Sequence, residues 1–283
     1  MVESHLDVGG AVTFWSLADW SNRPRLQAAF AAIGLDAFVP DPRPAPACLK
    51  DALEDVLGGP RVLVRPLAAR DGFAVVQEDR GVAANAYAIR LTAAVRGESD
   101  PVFDPWCPEA DRVADAYHRQ LGRVPAAQLS AALVKVVEAL GGIRLRPGGA
   151  VYWVPGHRLD EWAAAGHAAE SAAAGRPNAV YVLRHRLDAD AVRAVRDAVV
   201  HEVRAEADRI CLEVAGGDLG TRALEARQRQ AGELRQKVLL YEDLLSVGLQ
   251  GLHAAVDQAD QAAATASLLL GSQPEPAEAV GVG

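Results

Sequence analysis

Residues 234–256 read LRQKVLLYEDLLSVGLQGLHAAV, and apolar side chains recur in them at every third or fourth position. This spacing places one apolar stripe along an α-helix. The same periodicity occurs upstream, between Val192 and Val214, and a glycine-rich sequence at 216–220 separates the two segments. We therefore predict a long antiparallel helical hairpin of coiled-coil type over residues 187–270, with helices of about 25 and about 45 residues.

The longer of these helices has more apolar surface than the shorter one can cover. Its excess stripe, over 245–270, needs either the globular part of the chain or a second chain to cover it. We predict oligomerisation or partner binding through this stripe, and packing within the chain is the alternative. The residues predicted to form the interface are Leu234, Val238, Tyr241, Leu245 and Leu252.

The first hundred residues, 1–100, have the mixed pattern of an α/β domain. A short apolar run at 11–17 is typical of a strand, and four prolines within 40–46 predict an irregular segment there. The other strand candidates are separated by short turn sequences, which favours an antiparallel meander. These strands are predicted at 61–67, 72–77 and 86–95.

A winged-helix-like α/β segment is predicted over 109–186. Two helices, at 109–121 and 126–140, are joined by a short turn, and a glycine pair ends the second helix. The turn sequence at 146–149 then joins two short strands. Helix, turn, helix and β-hairpin follow one another in the order of a winged helix-turn-helix, a motif that places its second helix in the DNA major groove.

Charge is unevenly distributed along the chain. The whole chain has a net charge of −8, whereas residues 110–186 carry 10 basic and 6 acidic side chains. This segment is therefore the predicted contact for a polyanion such as DNA. Its second helix offers few polar side chains for reading bases, and Glu138 would repel phosphate, so a protein-binding winged helix or a plain packed unit is the alternative. The residues predicted to contact DNA are Arg123, Lys135, Arg144, Arg146 and Arg158.

Residues 141–155 read GGIRLRPGGAVYWVP, a hairpin with two adjacent aromatic side chains. Tyr152 and Trp153 point to opposite faces of one strand, because side chains alternate. Either one packs inward while the other stacks on a base or a partner, or both are core aromatics at the end of a sheet. This stretch resembles an uncharacterised family of phage and bacterial proteins. The resemblance implies no activity, but it favours a mobile-element or defence context.

Recognisable catalytic, cofactor and metal motifs do not occur in the sequence. The cysteines Cys48, Cys107 and Cys211 lie far apart, which predicts reduced thiols in the cytoplasm rather than a disulfide framework or a zinc site. There is no phosphate-binding loop, dinucleotide-binding glycine motif, nucleophile elbow or paired-histidine zinc motif. No apolar run approaches a membrane span, and the N-terminus lacks the pattern of a signal peptide. We predict no cofactor, no metal and no membrane association.

The fold class predicted from these patterns is α+β, and residues 271–283, which have no apolar pattern, are predicted to be a disordered tail. The predicted function is that of a non-enzymatic oligomeric or adaptor protein that assembles through its C-terminal helices. The alternative is a DNA-binding protein that uses the basic winged-helix segment, of phage, mobile-element or defence origin. A third hypothesis is an enzyme whose active site has no recognisable motif.

Overall fold

The computed structural model describes most of the chain, with short gaps. It covers residues 9–68, 72–80, 85–96, 99–146 and 149–271. The predicted α+β class is confirmed, because α-helices and antiparallel strands both occur in this part of the chain. The predicted disordered tail lies outside the described residues, apart from Gly271.

Ten strands and eight α-helices make up the described part of the chain. The strands are β1 (Gly10–Ser16), β2 (Trp20–Asn22), β3 (Val62–Pro66), β4 (Gly72–Arg80), β5 (Asn85–Ala94), β6 (Val102–Asp104), β7 (Arg123–Pro125), β8 (Ile143–Arg144), β9 (Tyr152–Pro155) and β10 (Ala179–His185). The helices are α1 (Arg23–Ala31), α2 (Ala45–Leu57), α3 (Ala110–Leu121), α4 (Ala126–Ala139), α5 (Leu159–Ser171), α6 (Ala189–Ala215), α7 (Thr221–Leu245) and α8 (Gln250–Gly271).

The chain folds into two compact units, and each unit is assembled from separated stretches of sequence. The first unit comprises Met1–Trp15, Val137–Ala163 and Tyr181–Gly283. The second unit comprises Ser16–Val136 and Ala164–Val180. The predicted division of the sequence into an N-terminal, a middle and a C-terminal segment stays a prediction.

The first unit contains a four-stranded sheet in the order β10-β1-β9-β8. Strand β9 pairs antiparallel with both β1 and β8, so the predicted hairpin belongs to a larger sheet and is not a free wing. Gly10 on β1 permits this close pairing, because a Cβ atom there would lie 2.3 Å from the Trp153 ring. Residues 147 and 148, in the predicted hairpin turn, lie outside the described residues.

A buried hydroxyl group joins this sheet to the start of α5. Thr13 on β1 is fully buried, and its Oγ1 accepts a hydrogen bond from Trp162 Nε1 at 2.9 Å. The same hydroxyl donates a hydrogen bond to the carbonyl oxygen of Tyr181 on β10 at 2.8 Å. The buried hydroxyl of Thr13 and the indole N–H of Trp162 therefore both have hydrogen-bond partners. On β9, Tyr152 and Trp153 are both buried. The structure therefore favours the alternative in which both aromatic side chains belong to the core.

The C-terminal part of the first unit is a bundle of three helices, α6, α7 and α8, that pack on one another. This corrects the predicted two-helix hairpin, because the longer predicted helix is interrupted after Leu245 and resumes at Gln250. Ser246 has a left-handed backbone conformation, with φ at 51°, and an α-helix of L-residues cannot continue through it.

The turn between α7 and α8 is closed by the side chain of Glu242. Its Oε1 accepts a hydrogen bond from the backbone N–H of Leu249 at 2.6 Å, and its Oε2 lies 2.9 Å from His253 Nε2. The Leu249 hydrogen bond first, and His253 second, hold the pKa of Glu242 below its ordinary value. A carboxyl group with a lowered pKa stabilises the folded state at neutral pH, and its contribution is lost as the pH falls through that pKa.

The residues predicted to form an intermolecular interface lie instead in the core of the first unit. They pack with apolar side chains of α6 and with Ile143 and Trp153 of the sheet. Tyr241 also donates a hydrogen bond from Oη to the carbonyl oxygen of Gly141 at 2.8 Å. The chain itself covers the apolar stripe, because the turn after α7 folds α8 back onto α6 and α7. The five residues, each at most 8% exposed, are Leu234, Val238, Tyr241, Leu245 and Leu252.

The second unit contains an antiparallel sheet in the order β3-β4-β5-β6, and helices α2 and α3 cover one of its faces. Side chains that point into this core alternate along the strands, with Phe73 and Val75 on β4 and Leu91 and Ala93 on β5. The three strands of the predicted meander correspond to β3, β4 and β5, and β6 extends the sheet by one strand.

A single buried amide side chain organises another part of the second unit, near the ribbon of β2 and β7. Asn178 is 5% exposed, and its Oδ1 accepts a hydrogen bond from the backbone N–H of Ala18 at 2.9 Å. Its Nδ2 donates to Ser21 Oγ at 2.9 Å and to the carbonyl oxygen of Ala169 at 2.8 Å. These bonds tie β2 and α5 to the residue just before β10.

Candidate interaction surface

Neighbours within the chain engage three of the five basic residues predicted to contact DNA. The Arg123 guanidinium lies 4.5 Å from the centre of the Trp20 ring, and that of Arg144 lies 5.5 Å from the centre of a buried tyrosine ring. Arg158 pairs with Glu161 at 2.7 Å. The five residues are divided between the units: Arg123 and Lys135 belong to the second unit, and Arg144, Arg146 and Arg158 belong to the first.

Helix α4, predicted to read DNA bases, directs most of its large side chains inward. Its exposed side includes Gln128 and Lys135, a small set of polar groups for base recognition. Near its end, where the helix belongs to the first unit, burial raises the pKa of the Glu138 carboxyl, and Lys237 of the same unit opposes this shift. The side chains of α4 that are fully buried are Leu129, Leu133, Val136 and Val137.

A cavity of about 410 Å³ in the first unit lies between the sheet and the start of α6. Its lining is mainly apolar and includes Trp153, whose indole Nε1 is buried without a hydrogen-bond partner. Two carboxylates also line it. Asp188 accepts a hydrogen bond from the backbone N–H of Ala191 at 2.8 Å, and Asp190 pairs with Arg193 at 2.8 Å. Both carboxylates are thus used by the first turn of α6.

An exposed apolar surface lies on the second unit, on the face of its sheet opposite α2 and α3. A β-bulge creates this surface. Val75 pairs with Leu91 and the next residue, Val76, pairs with Ile89, so Arg90 is the extra residue on β5. A bulge reverses the alternation of side chains beyond it. Ile89 therefore points away from the core that contains Leu91.

Three apolar side chains on this face, two of them half-buried and one exposed, form a row across three strands. Leu63 on β3 pairs with Val76 on β4, and Val76 pairs with Ile89 on β5. Ile89 is 68% exposed, and Tyr87 and Val102 on the same face are 59% and 71% exposed. The solvated face of an antiparallel sheet is usually polar. A contiguous apolar row on such a face is typical of a binding surface.

A row with a charge at each end runs beside the apolar row. Arg65, Ala74, Thr92 and Asp104 are paired in register across all four strands. Arg65 and Asp104 stand at opposite edges of the sheet, three strand spacings or roughly 14 Å apart, which is too far for an ion pair. Among the described residues, neither makes an ion pair.

We call this surface the outer sheet face. No residue of it was singled out by sequence reasoning, because strict alternation along β5 places Tyr87 and Ile89 on the buried side with Leu91. The sequence signal for this surface is that β5 contains more apolar residues than a strand with one solvated face needs. The outer sheet face comprises Leu63, Arg65, Gly72, Ala74, Val76, Glu78, Tyr87, Ile89, Thr92, Ala94, Val102 and Asp104.

The described residues offer little that could bind a metal ion or act as a reactive thiol. These ranges contain no group of three or more histidine, cysteine, aspartate or glutamate side chains placed to hold a metal ion. The thiols of Cys48 and Cys107 are buried and that of Cys211 is half-buried, and all three are free. Burial raises the pKa of the Cys48 thiol, which keeps it protonated. None of the helices in the described part is both long enough and apolar enough to cross a bilayer.

Comparison with known proteins identifies a family but no activity. A family model described as a family of unknown function (DUF6744) matches residues 8–273, almost the whole chain. No curated protein and no solved structure matches. The match agrees with the resemblance to an uncharacterised family that residues 141–155 indicated.

Proposed function

We propose that this chain, which belongs to the family of unknown function (DUF6744), is a non-enzymatic protein that assembles with copies of itself through the outer sheet face. The observation that carries the proposal is the apolar row with Ile89 at its end, 68% exposed on a face that none of the packed helices of its own unit covers. The oligomeric role predicted from the sequence is kept in this proposal, but the proposed interface is the outer sheet face and not the C-terminal helices.

The size of the outer sheet face sets the expected strength of assembly. Four strands about six residues long cover roughly 19 by 20 Å. Two such faces packed together bury on the order of 1,000 Å² in total, which is near the lower limit for a specific interface. Assembly is therefore expected to be reversible and to depend on protein concentration in the micromolar range.

Replacing Ile89 with aspartate tests this function. The Ile89→Asp protein is expected to stay monomeric where the natural chain associates, because a charge would be desolvated at the centre of the interface. Light scattering after size exclusion, at several loading concentrations, measures the mass. Ile33, which is 38% exposed in the turn after α1, provides the matched control, and Ile33→Asp should associate like the natural chain. A natural chain that is monomeric at every concentration would contradict the proposed function.

DNA binding through the basic middle segment is the second candidate. It is supported by the exposure of Lys135 in the second unit and of Arg144 and Arg146 in the first. If it operates, affinity for duplex DNA should fall steeply as salt rises, because phosphate contacts release counterions. Fluorescence anisotropy with a labelled duplex at two salt concentrations measures this slope, and binding that ignores salt would exclude the candidate.

A cytoplasmic location is part of the proposal. Three free cysteines, two of them buried, are compatible with a reducing compartment, where thiols stay unpaired. A phage, mobile-element or defence origin belongs with the DNA-binding candidate and rests on the resemblance of residues 141–155.

A further inference from the structure

We infer that the partner on the outer sheet face is a second copy of this chain, related by a two-fold axis that runs parallel to strands β4 and β5. In this arrangement Arg65 of each copy pairs with Asp104 of the partner subunit. The inference rests on the proposed function, to which it adds the symmetry and the charged contacts of the interface.

The register of the sheet determines which residues meet across this axis. The sheet has four strands, so an axis parallel to them that passes between β4 and β5 exchanges the β3 side with the β6 side. Strand β3 of one copy then faces β6 of the other, and β4 faces β5. Each residue faces the residue of the partner subunit that belongs to the same row of paired residues. In the charged row, Arg65 on β3 consequently faces Asp104 of the partner subunit, and Ala74 faces Thr92 of the partner subunit.

The neighbouring rows are also matched in size and polarity by this axis. Val76 faces Ile89 of the partner subunit, so the most exposed part of the apolar row is covered. On the other side of the charged row, Gly72 on β4 pairs with Ala94 on β5, and these two small residues face each other across the axis. Along these three rows, large apolar groups meet large ones, small groups meet small ones, and a cation meets an anion. Beyond the apolar row, Glu78 faces Tyr87 of the partner subunit.

An axis perpendicular to the strands does not give this complementarity. It returns each strand to its own side, so β3 faces β3 and β6 faces β6. If this axis passes through the charged row, arginine approaches arginine and aspartate approaches aspartate. If it passes through the apolar row, Arg65 approaches Arg61 of the partner subunit. Both arrangements bring like charges together, which is unfavourable at an interface. The distribution of charge therefore selects the axis parallel to the strands. A two-fold contact of this kind is closed and yields a dimer and not a fibre.

Reversing the charges tests the arrangement. Arg65→Asp and Asp104→Arg, made separately, should each weaken dimerisation at least about tenfold. Each single change turns both of the symmetry-related ion pairs into contacts between like charges. The double variant Arg65→Asp/Asp104→Arg should recover affinity to within about threefold of the natural chain, because every ion pair is restored with reversed polarity. Sedimentation velocity over a concentration series measures the dissociation constants. Arg61→Asp is the matched control, because Arg61 lies on the same edge but β6 does not extend to its row.

The outcomes separate this inference from the proposed function. Weakening by both single reversals and recovery in the double variant supports the axis parallel to the strands. A dimer that is disrupted by Ile89→Asp but is not recovered in the double variant keeps the outer sheet face as the interface and overturns the proposed axis. A dimer that is insensitive to Ile89→Asp overturns both, and so does a chain that remains monomeric.

Discussion

Leu252→Asp is expected to unfold the three-helix bundle rather than to separate subunits. Leu252 is 1% exposed and lies in the apolar core that α6, α7 and α8 share. The substitution removes a buried aliphatic side chain and places a carboxylate where it has no partner. Each effect costs several kcal/mol, and together they amount to roughly 5 kcal/mol or more. This is comparable to the whole stability of a typical domain.

The measurements are helical content by circular dichroism, and hydrogen exchange in peptides from α6 to α8. Leu268→Asp is the matched control on the same helix, because Leu268 is 76% exposed and the carboxylate would stay in water. We expect the control to keep its helical content and its protection from exchange. If Leu252→Asp instead kept a folded bundle and only lost mass in solution, the residue would be intermolecular, as the sequence alone predicted.

The predicted intermolecular interface shows what apolar periodicity can and cannot predict. The spacing of Leu234, Val238 and Tyr241 correctly predicts helical segments with one buried stripe. It does not say what buries the stripe, because the pattern is the same whether the cover is the same chain or another. The deciding feature is the turn at Ser246, where apolar spacing continues from Leu245 to Leu249 across a break in the helix.

The candidate surface could not be predicted for a related reason. Alternation along a strand fixes which side chains share a face only while the pairing is regular. One extra residue, Arg90, reverses the faces of β5, and the sequence around it contains no glycine or proline to indicate a bulge. The charged row likewise depends on the register between four strands. Arg65 and Asp104 are separated by 39 positions in sequence and acquire a relationship only in the folded sheet.

Asn178→Ala is expected to destabilise the second unit far more than the same change at the half-buried Asn22. The substitution deprives the buried Ala18 N–H of its acceptor and removes two donated hydrogen bonds, to Ser21 and to Ala169. A buried polar group left without a partner costs about 1–3 kcal/mol. Some of these groups can find new partners, so we expect a loss of roughly 3 kcal/mol in the free energy of unfolding.

Asn22 provides the control, because its half-buried side chain caps helix α1 and its Oδ1 accepts one hydrogen bond, from the backbone N–H of Arg25 at 2.9 Å. Asn22→Ala should cost about 1 kcal/mol. Urea denaturation compares the two variants, and hydrogen exchange in a peptide containing Ala18 gives the local readout. Exchange there should accelerate in Asn178→Ala and stay unchanged in Asn22→Ala, because only the first removes the acceptor of that N–H. Equal losses of stability with unchanged exchange at Ala18 would mean that Asn178 fills space without organising the buried polar groups around it.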